Sequence, residues 1–156
     1  MNTNGGFYIT QIKQLQGRIF ERLLVKYGLD ISGGQGSILF VLWKEDGLTI
    51  SEIGSRTSLA KNTVSIIIDG MVAKGIVTRT SNPHNRRQSI ISLTDRAKNM
   101  KDTYDAVSNE MGLLFYDGFT PDEITRFESY LSRIRQTLTK KEQELKGGTN
   151  HDNSGN

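Results

Sequence analysis

Cysteine is absent from this 156-residue chain. No disulfide framework can form, and thiol-based redox sensing is excluded. Histidine occurs only as His84 and His151, so neither a metal centre nor a metal cofactor is expected. The longest apolar run is Ile38-Leu39-Phe40-Val41-Leu42-Trp43, far short of the roughly 20 residues needed to cross a bilayer. The first residues lack the basic-then-apolar pattern of a secretory leader. A soluble, cytoplasmic protein with no membrane association is the expectation. Catalytic signals are missing as well. The acids and histidines show no catalytic spacing, and no nucleophile motif appears. Gly33-Gly34-Gln35-Gly36 is not followed by Gly-Lys-Ser/Thr, so it reads as a loop entering a helix rather than a phosphate cradle. No enzyme and no cofactor are expected.

What is present is a local concentration of positive charge. The chain carries a net charge of +3, yet residues 56–96 hold seven Lys/Arg against two acids, Asp69 and Asp95. That basic stretch overlaps a helix, a turn, a second helix and two short strands. Basic charge on such a unit is the electrostatic footprint of a DNA binder.

The pattern of apolar residues supplies the elements. Ile9, Ile12, Leu15, Ile19 and Leu23 predict a first helix over about residues 7–27, ended by Tyr27-Gly28. A second, apolar and therefore buried helix is predicted after Ser32. Thr49 with Glu52 forms a capping box for a third helix. Ala60, Val64, Ile67, Ile68, Met71 and Val72 stripe a fourth over about 60–74, stopped at Gly75. Residues 76–80 and 88–93 suit an antiparallel hairpin. The link 81–87 is turn chemistry throughout and is expected to project. A fifth helix over about 95–116 and a sixth starting at Thr120-Pro121-Asp122-Glu123 follow. Residues 1–6 and 147–156 contain no hydrophobes beyond Met1 and are expected to be disordered tails around one domain at 7–146. The apolar fraction of 35% is low for a self-contained globule. Two long striped terminal regions, 7–30 and 95–146, are expected to bury their stripes in a homodimer. The fold class is mainly α with a small β wing, in which residues 31–94 form a winged helix-turn-helix lobe.

Thr63-Val64-Ser65, Asp69, Lys74-Gly75-Ile76-Val77, Arg79, Arg86-Arg87, Ile91 and Leu93-Thr94 resemble the multiple-antibiotic-resistance-regulator (MarR) family of bacterial transcription factors. Gln35 and Leu39 agree with the family's second helix, and the resemblance spans about residues 7–145. It implies a homodimer that binds double-stranded DNA at pseudo-palindromic operators, most often as a repressor. It also implies a pocket for a small aromatic or anionic effector, which Arg18, Phe20, Trp43 and Tyr104 would border. The chain departs from the family's pattern at the wing tip, Asn82-Pro83-His84-Asn85, and at Ile66, where arginine is common.

Under this reading Asn62 bonds an adenine edge, Thr63 and Ser65 reach bases or phosphates, and Ile66 packs on a thymine methyl. Lys61 positions the helix on phosphate. Of Arg86 and Arg87, one enters the minor groove and the other braces the wing, with Asp69 as its candidate partner. Arg56 and Arg79 are weaker phosphate candidates. The competing reading is a winged-helix adaptor that binds protein and has lost DNA.

Overall fold

The computed structural model describes residues 1–148. Helix α1 spans Gly5–Lys26 and α2 spans Gly33–Lys44. A two-residue strand β1, Leu48–Thr49, runs directly into α3, Ile50–Thr57. Helix α4 is Lys61–Ala73. Strands β2, Val77–Asn82, and β3, Asn85–Leu93, form the hairpin. Helices α5, Asp95–Asn99, α6, Lys101–Phe115, and α7, Pro121–Gly148, complete the described residues. The chain divides into one unit ending at Phe115 and a second beginning at Tyr116.

Helix α3 opens on the predicted Thr49–Glu52 capping box, and α2 opens on another. Ser32 Oγ accepts from the Gln35 N–H, and Gln35 Oε1 accepts from the Ser32 N–H. Thr49 and Glu52 bond reciprocally in the same way. Each box satisfies donors that a helix start leaves orphaned, a gain of about 1 kcal/mol for the capping side chain. The first unit buries Leu24, Ile38, Leu39, Leu42, Ile53, Val64, Ile68, Met71, Ile76, Ile91 and Val107 in one cluster. Each large aliphatic side chain there contributes about 1.5–3 kcal/mol. The sheet is antiparallel in the order β1-β3-β2, with Leu48 opposite Ile91 and Val77 opposite Leu93. Asp46 Oδ1 accepts from the Leu93 N–H, tying the α2–β1 turn to β3.

Several features differ from the sequence expectation. Strand β1 is too short to carry an alternating pattern, so only its pairing with β3 reveals it. The predicted fifth helix breaks at Met100 into α5 and α6. The Ala97 carbonyl accepts from the Met100 N–H at 3.2 Å, a tightened turn, and from the Trp43 indole N–H at 3.1 Å. The indole thus occupies an acceptor that a continuous helix reserves for the N–H four residues on. Gly5 and Gly6 are helical rather than tail, because the Tyr8 N–H bonds the Asn4 carbonyl and closes the first turn there. At the other end α7 runs through Gly147 and Gly148; the rest of the expected C-terminal tail, 149–156, lies outside the described residues. Finally, Ala60 and Val72, placed on the inward stripe of α4 by spacing, are exposed. Ala60 is the residue before α4, and Val72 lies in its last turn, one residue past the buried Met71.

Candidate nucleic-acid interface

Helix α4 has two faces of opposite character. Val64, Ile68 and Met71 are buried against the core. Asn62, Ile66 and Asp69, on the far side, are exposed, as are Lys61 and Thr63; Ser65 at the margin is half-buried. Ile66 is 72% exposed, a large apolar side chain directed away from the core. The turn before α4 is tight. Ser58 adopts a left-handed conformation (φ 59°) at the end of α3. Gly54 lets the chain fold back so closely that a Cβ there would stand 3.1 Å from the Leu59 carbonyl oxygen. Ala60, the residue before α4, offers no side-chain cap, and the first turn of α4 holds no acid. Its free N–H groups and the positive end of its dipole are left for an outside anion.

The wing is longer and more ordered than the sequence suggests. Only Pro83 and His84 form the turn, and Asn82 pairs with Asn85. Asn side chains make this possible: Asn82 Oδ1 accepts from the His84 N–H and Asn85 Oδ1 from the Arg87 N–H. The register then shifts. Ser81 pairs with Ser89 while Asn82 pairs with Asn85, so Arg86, Arg87 and Gln88 have no cross-strand partner. They form a bulge on β3, closed by a bond from Asn82 Nδ2 to Gln88 Oε1 at 3.2 Å. A bulge of this kind re-aims side chains and strengthens local twist. Both arginines project from it into solvent.

Ion pairs sort the seven basic residues of the segment. Arg79 donates to Asp69 at 2.8 Å, so the brace between wing and α4 comes from Arg79 and not from Arg86 or Arg87. Register explains it, since Arg79 lies opposite the buried Ile91 on the side of β2 that meets α4. Arg56 pairs with Glu45 at 2.6 Å. Lys74 donates to the Asp30 carbonyl and to Gln35 Oε1, and Arg96 donates to the Lys74 carbonyl. Among the described residues, Lys61, Arg86 and Arg87 are the members of this set without an internal ion pair or side-chain hydrogen bond. The unspent positive charge therefore sits at the start of α4 and on the wing.

The residues expected to border an effector pocket divide. Phe20, Trp43 and Tyr104 meet, with ring centroids 5.8 Å apart for Phe20–Tyr104 and 5.0 Å for Trp43–Tyr104. Tyr104 also lies on Gly36, where an added Cβ would come within 2.7 Å of its ring. Burial, and secondarily the Asp105 charge, pushes the Tyr104 hydroxyl up to about 12. Arg18 is exposed on α1. Nearby, Glu110 of α6 accepts from Lys26 Nζ at 2.8 Å and from the Tyr27 hydroxyl at 2.7 Å. Those bonds hold its carboxyl below the usual range. Sequence reasoning missed this clamp, because its partners lie more than 80 residues apart. No group of three or more His, Cys, Asp or Glu side chains among the described residues is placed to hold a metal ion. No described helix is long and apolar enough to cross a membrane.

A family model described as "MarR family" matches residues 27–88. The HTH-type transcriptional regulator TtmR of Methylorubrum extorquens is 32% identical over 122 residues, 78% of this chain. The match spans 60% of that relative's length. A structure of a MarR variant from E. coli complexed with operator DNA superposes with a TM-score of 0.75 at 23% identity, covering 83% of this chain and 91% of that one. The PcaV transcriptional regulator of Streptomyces coelicolor, in complex with its natural ligand, gives 0.76 at 20% identity, covering 87% and 94%. At these identities the two structures establish a shared fold. The sequence match spans α2, the helix-turn-helix and most of the wing, and the shared backbone extends well beyond it: in sequence and in fold the chain is similar to the MarR family.

Proposed function

We propose that this protein is a sequence-specific DNA-binding transcriptional regulator, acting in the cytoplasm as a homodimer on a pseudo-palindromic operator. The observation that carries the reading is the sorting of charge. Four of the seven basic residues in the helix-turn-helix and wing are consumed by internal bonds, and the three left over lie where a duplex would meet α4 and the hairpin. Helix α4 enters the major groove. Asn62, Thr63, Ser65 and Ile66 read base edges there, and Lys61 with the uncapped N–H groups of α4 holds a phosphate. Arg86 and Arg87, aimed by the bulge, reach the minor groove and its backbone. Arg79 and Arg56 serve the fold, one bracing the wing and the other linking α3 to the end of α2.

Dimerisation is supported by what each unit leaves uncovered. Ile9, Ile12, Leu15 and Ile19 form an exposed apolar stripe on α1, and Tyr130, Ile134 and Leu138 form another on α7. Helix α7 has no buried residue along its 28 positions. Helices of that length with a bare apolar stripe are stable when a second copy covers the stripe. A two-fold dimer presents two copies of α4 about one helical turn of DNA apart, roughly 10 bp. Release by a small aromatic or anionic effector is the regulatory part of the reading. Phe20, Trp43 and Tyr104, whose rings pack on one another, are the aromatic residues offered for its site.

Selection of bound duplexes from a random pool, with light scattering of the same protein, tests the whole. Enrichment of a palindrome by a particle of twice the chain mass is expected. A monomer that enriches no duplex over competitor removes the reading, and the protein-binding adaptor then takes its place.

A further inference from the structure

The apex of the wing holds a group that neither α4 nor the two arginines account for. Pro83 and His84 make the whole turn. Pro83 has a fixed φ and no N–H. Asn82 grips the turn from below through the His84 N–H and is itself anchored to Gln88. His84 does not have a positive φ, so nothing in its backbone demands a particular side chain. Its imidazole is exposed and makes no side-chain hydrogen bond or ion pair among the described residues. The backbone at the apex is held in place while the ring is left unengaged.

The charge around it is one-sided. From Val77 to Thr94 the sequence contains no Asp or Glu. The charged groups on the two strands are Arg79, Arg86 and Arg87, and Arg79 is already matched by Asp69 of α4 at the base of the wing. Within residues 84–87, then, two free guanidinium groups and an imidazole stand together without a counter-charge. A proton taken up on the imidazole can be balanced only from outside, and duplex phosphates supply that balance.

We infer that His84 is a further DNA-contacting residue, whose imidazolium engages a backbone phosphate beside the groove that Arg86 and Arg87 enter. This rests on the DNA-binding reading above. The contact forms with proton uptake, since a neutral ring offers a phosphate one donor and no charge. Binding coupled to that proton uptake strengthens as pH falls. Each protonated wing also releases one more counterion on binding, which steepens the salt dependence.

The probe is the duplex that wild-type protein enriches from a random pool at about pH 8. Affinity is measured by fluorescence anisotropy across a salt series at about pH 8 and about pH 5.8. Wild type, His84→Gln and His84→Lys are compared. On acidification, wild type gains roughly threefold to tenfold over His84→Gln, and its log–log salt slope steepens by up to about 1 per wing. His84→Lys, charged throughout, shows the steep slope at both pH values. A side chain that only shaped the turn would leave all three slopes equal. Identical pH and salt responses for wild type and His84→Gln overturn the inference while leaving the DNA reading intact. If wild type enriches no duplex, both fall. Should the glutamine variant loosen the apex, the lysine variant still decides, because a slope that changes with pH in His84→Lys refutes the assignment.

Discussion

Replacing Arg86 and Arg87 together by alanine removes most of the unspent charge of the proposed interface. The three unpaired cations are Lys61, Arg86 and Arg87, and in a two-fold dimer each occurs twice. If all six meet phosphates, the slope of log affinity against log salt is about −5. Without the wing arginines, only the two copies of Lys61 remain and the slope falls to about −2. Between about 50 and about 200 mM salt, wild type then loses on the order of a thousandfold in affinity and the variant on the order of tenfold. The fold should be untouched, because both side chains project from a bulge and carry no internal bond. Arg56→Ala and Arg79→Ala are the matched controls. They remove the same formal charge, but Arg56 is already neutralised by Glu45 and Arg79 by Asp69. Their slopes should stay close to wild type, while Arg79→Ala lowers thermal stability slightly by freeing the wing from α4. Fluorescence anisotropy over a salt series reads every slope. Equal slopes for the wing variant and the two controls would show that pairing does not sort these cations, and the argument for the interface would fail.

Three further outcomes follow from the packing. Gly36→Ala places a Cβ within 2.7 Å of the Tyr104 ring, which is held between Phe20 and Trp43; calorimetry should show a loss of about 1–3 kcal/mol, and an unchanged melt would mean the ring is free to move. Ser58→Val puts a β-branched residue at φ 59° in the helix-turn-helix; it should cost about 1–2 kcal/mol, whereas Ser58→Gly should be close to neutral in the same denaturant titration. Glu110 has its carboxyl lowered by bonds from Lys26 and then Tyr27. A depressed carboxyl contributes stability above its unfolded value and loses it as pH falls through the folded one. The melting advantage of wild type over Glu110→Gln should therefore be full at neutral pH and vanish in acid; an advantage that persists in acid would assign the effect to shape rather than charge.

The parts of this protein that could be read from the chain are those governed by neighbours within a turn or two. Thr49 and Glu52 cap α3 because three residues separate them, and Val64, Ile68 and Met71 line one face of α4 because helical spacing puts them there. Pro121 after Thr120 starts α7 for the same local reason. The helix-turn-helix, the existence of a hairpin and the outward face of α4 all follow from such rules. Folding in three dimensions decided the rest. Whether Arg79 or Arg86 meets Asp69 depends on strand register, and a shift of that register leaves Arg86 and Arg87 unpaired on a bulge. The break at Met100 depends on an indole of α2 that bonds the Ala97 carbonyl, 54 residues away in sequence. Strand β1 exists because β3 lies beside it, and the Lys26–Glu110–Tyr27 clamp because α1 and α6 pack together. Caps and stripes are set by short-range geometry that any sequence displays, whereas ion pairs and strand partners are chosen by which distant segments the buried core brings within reach.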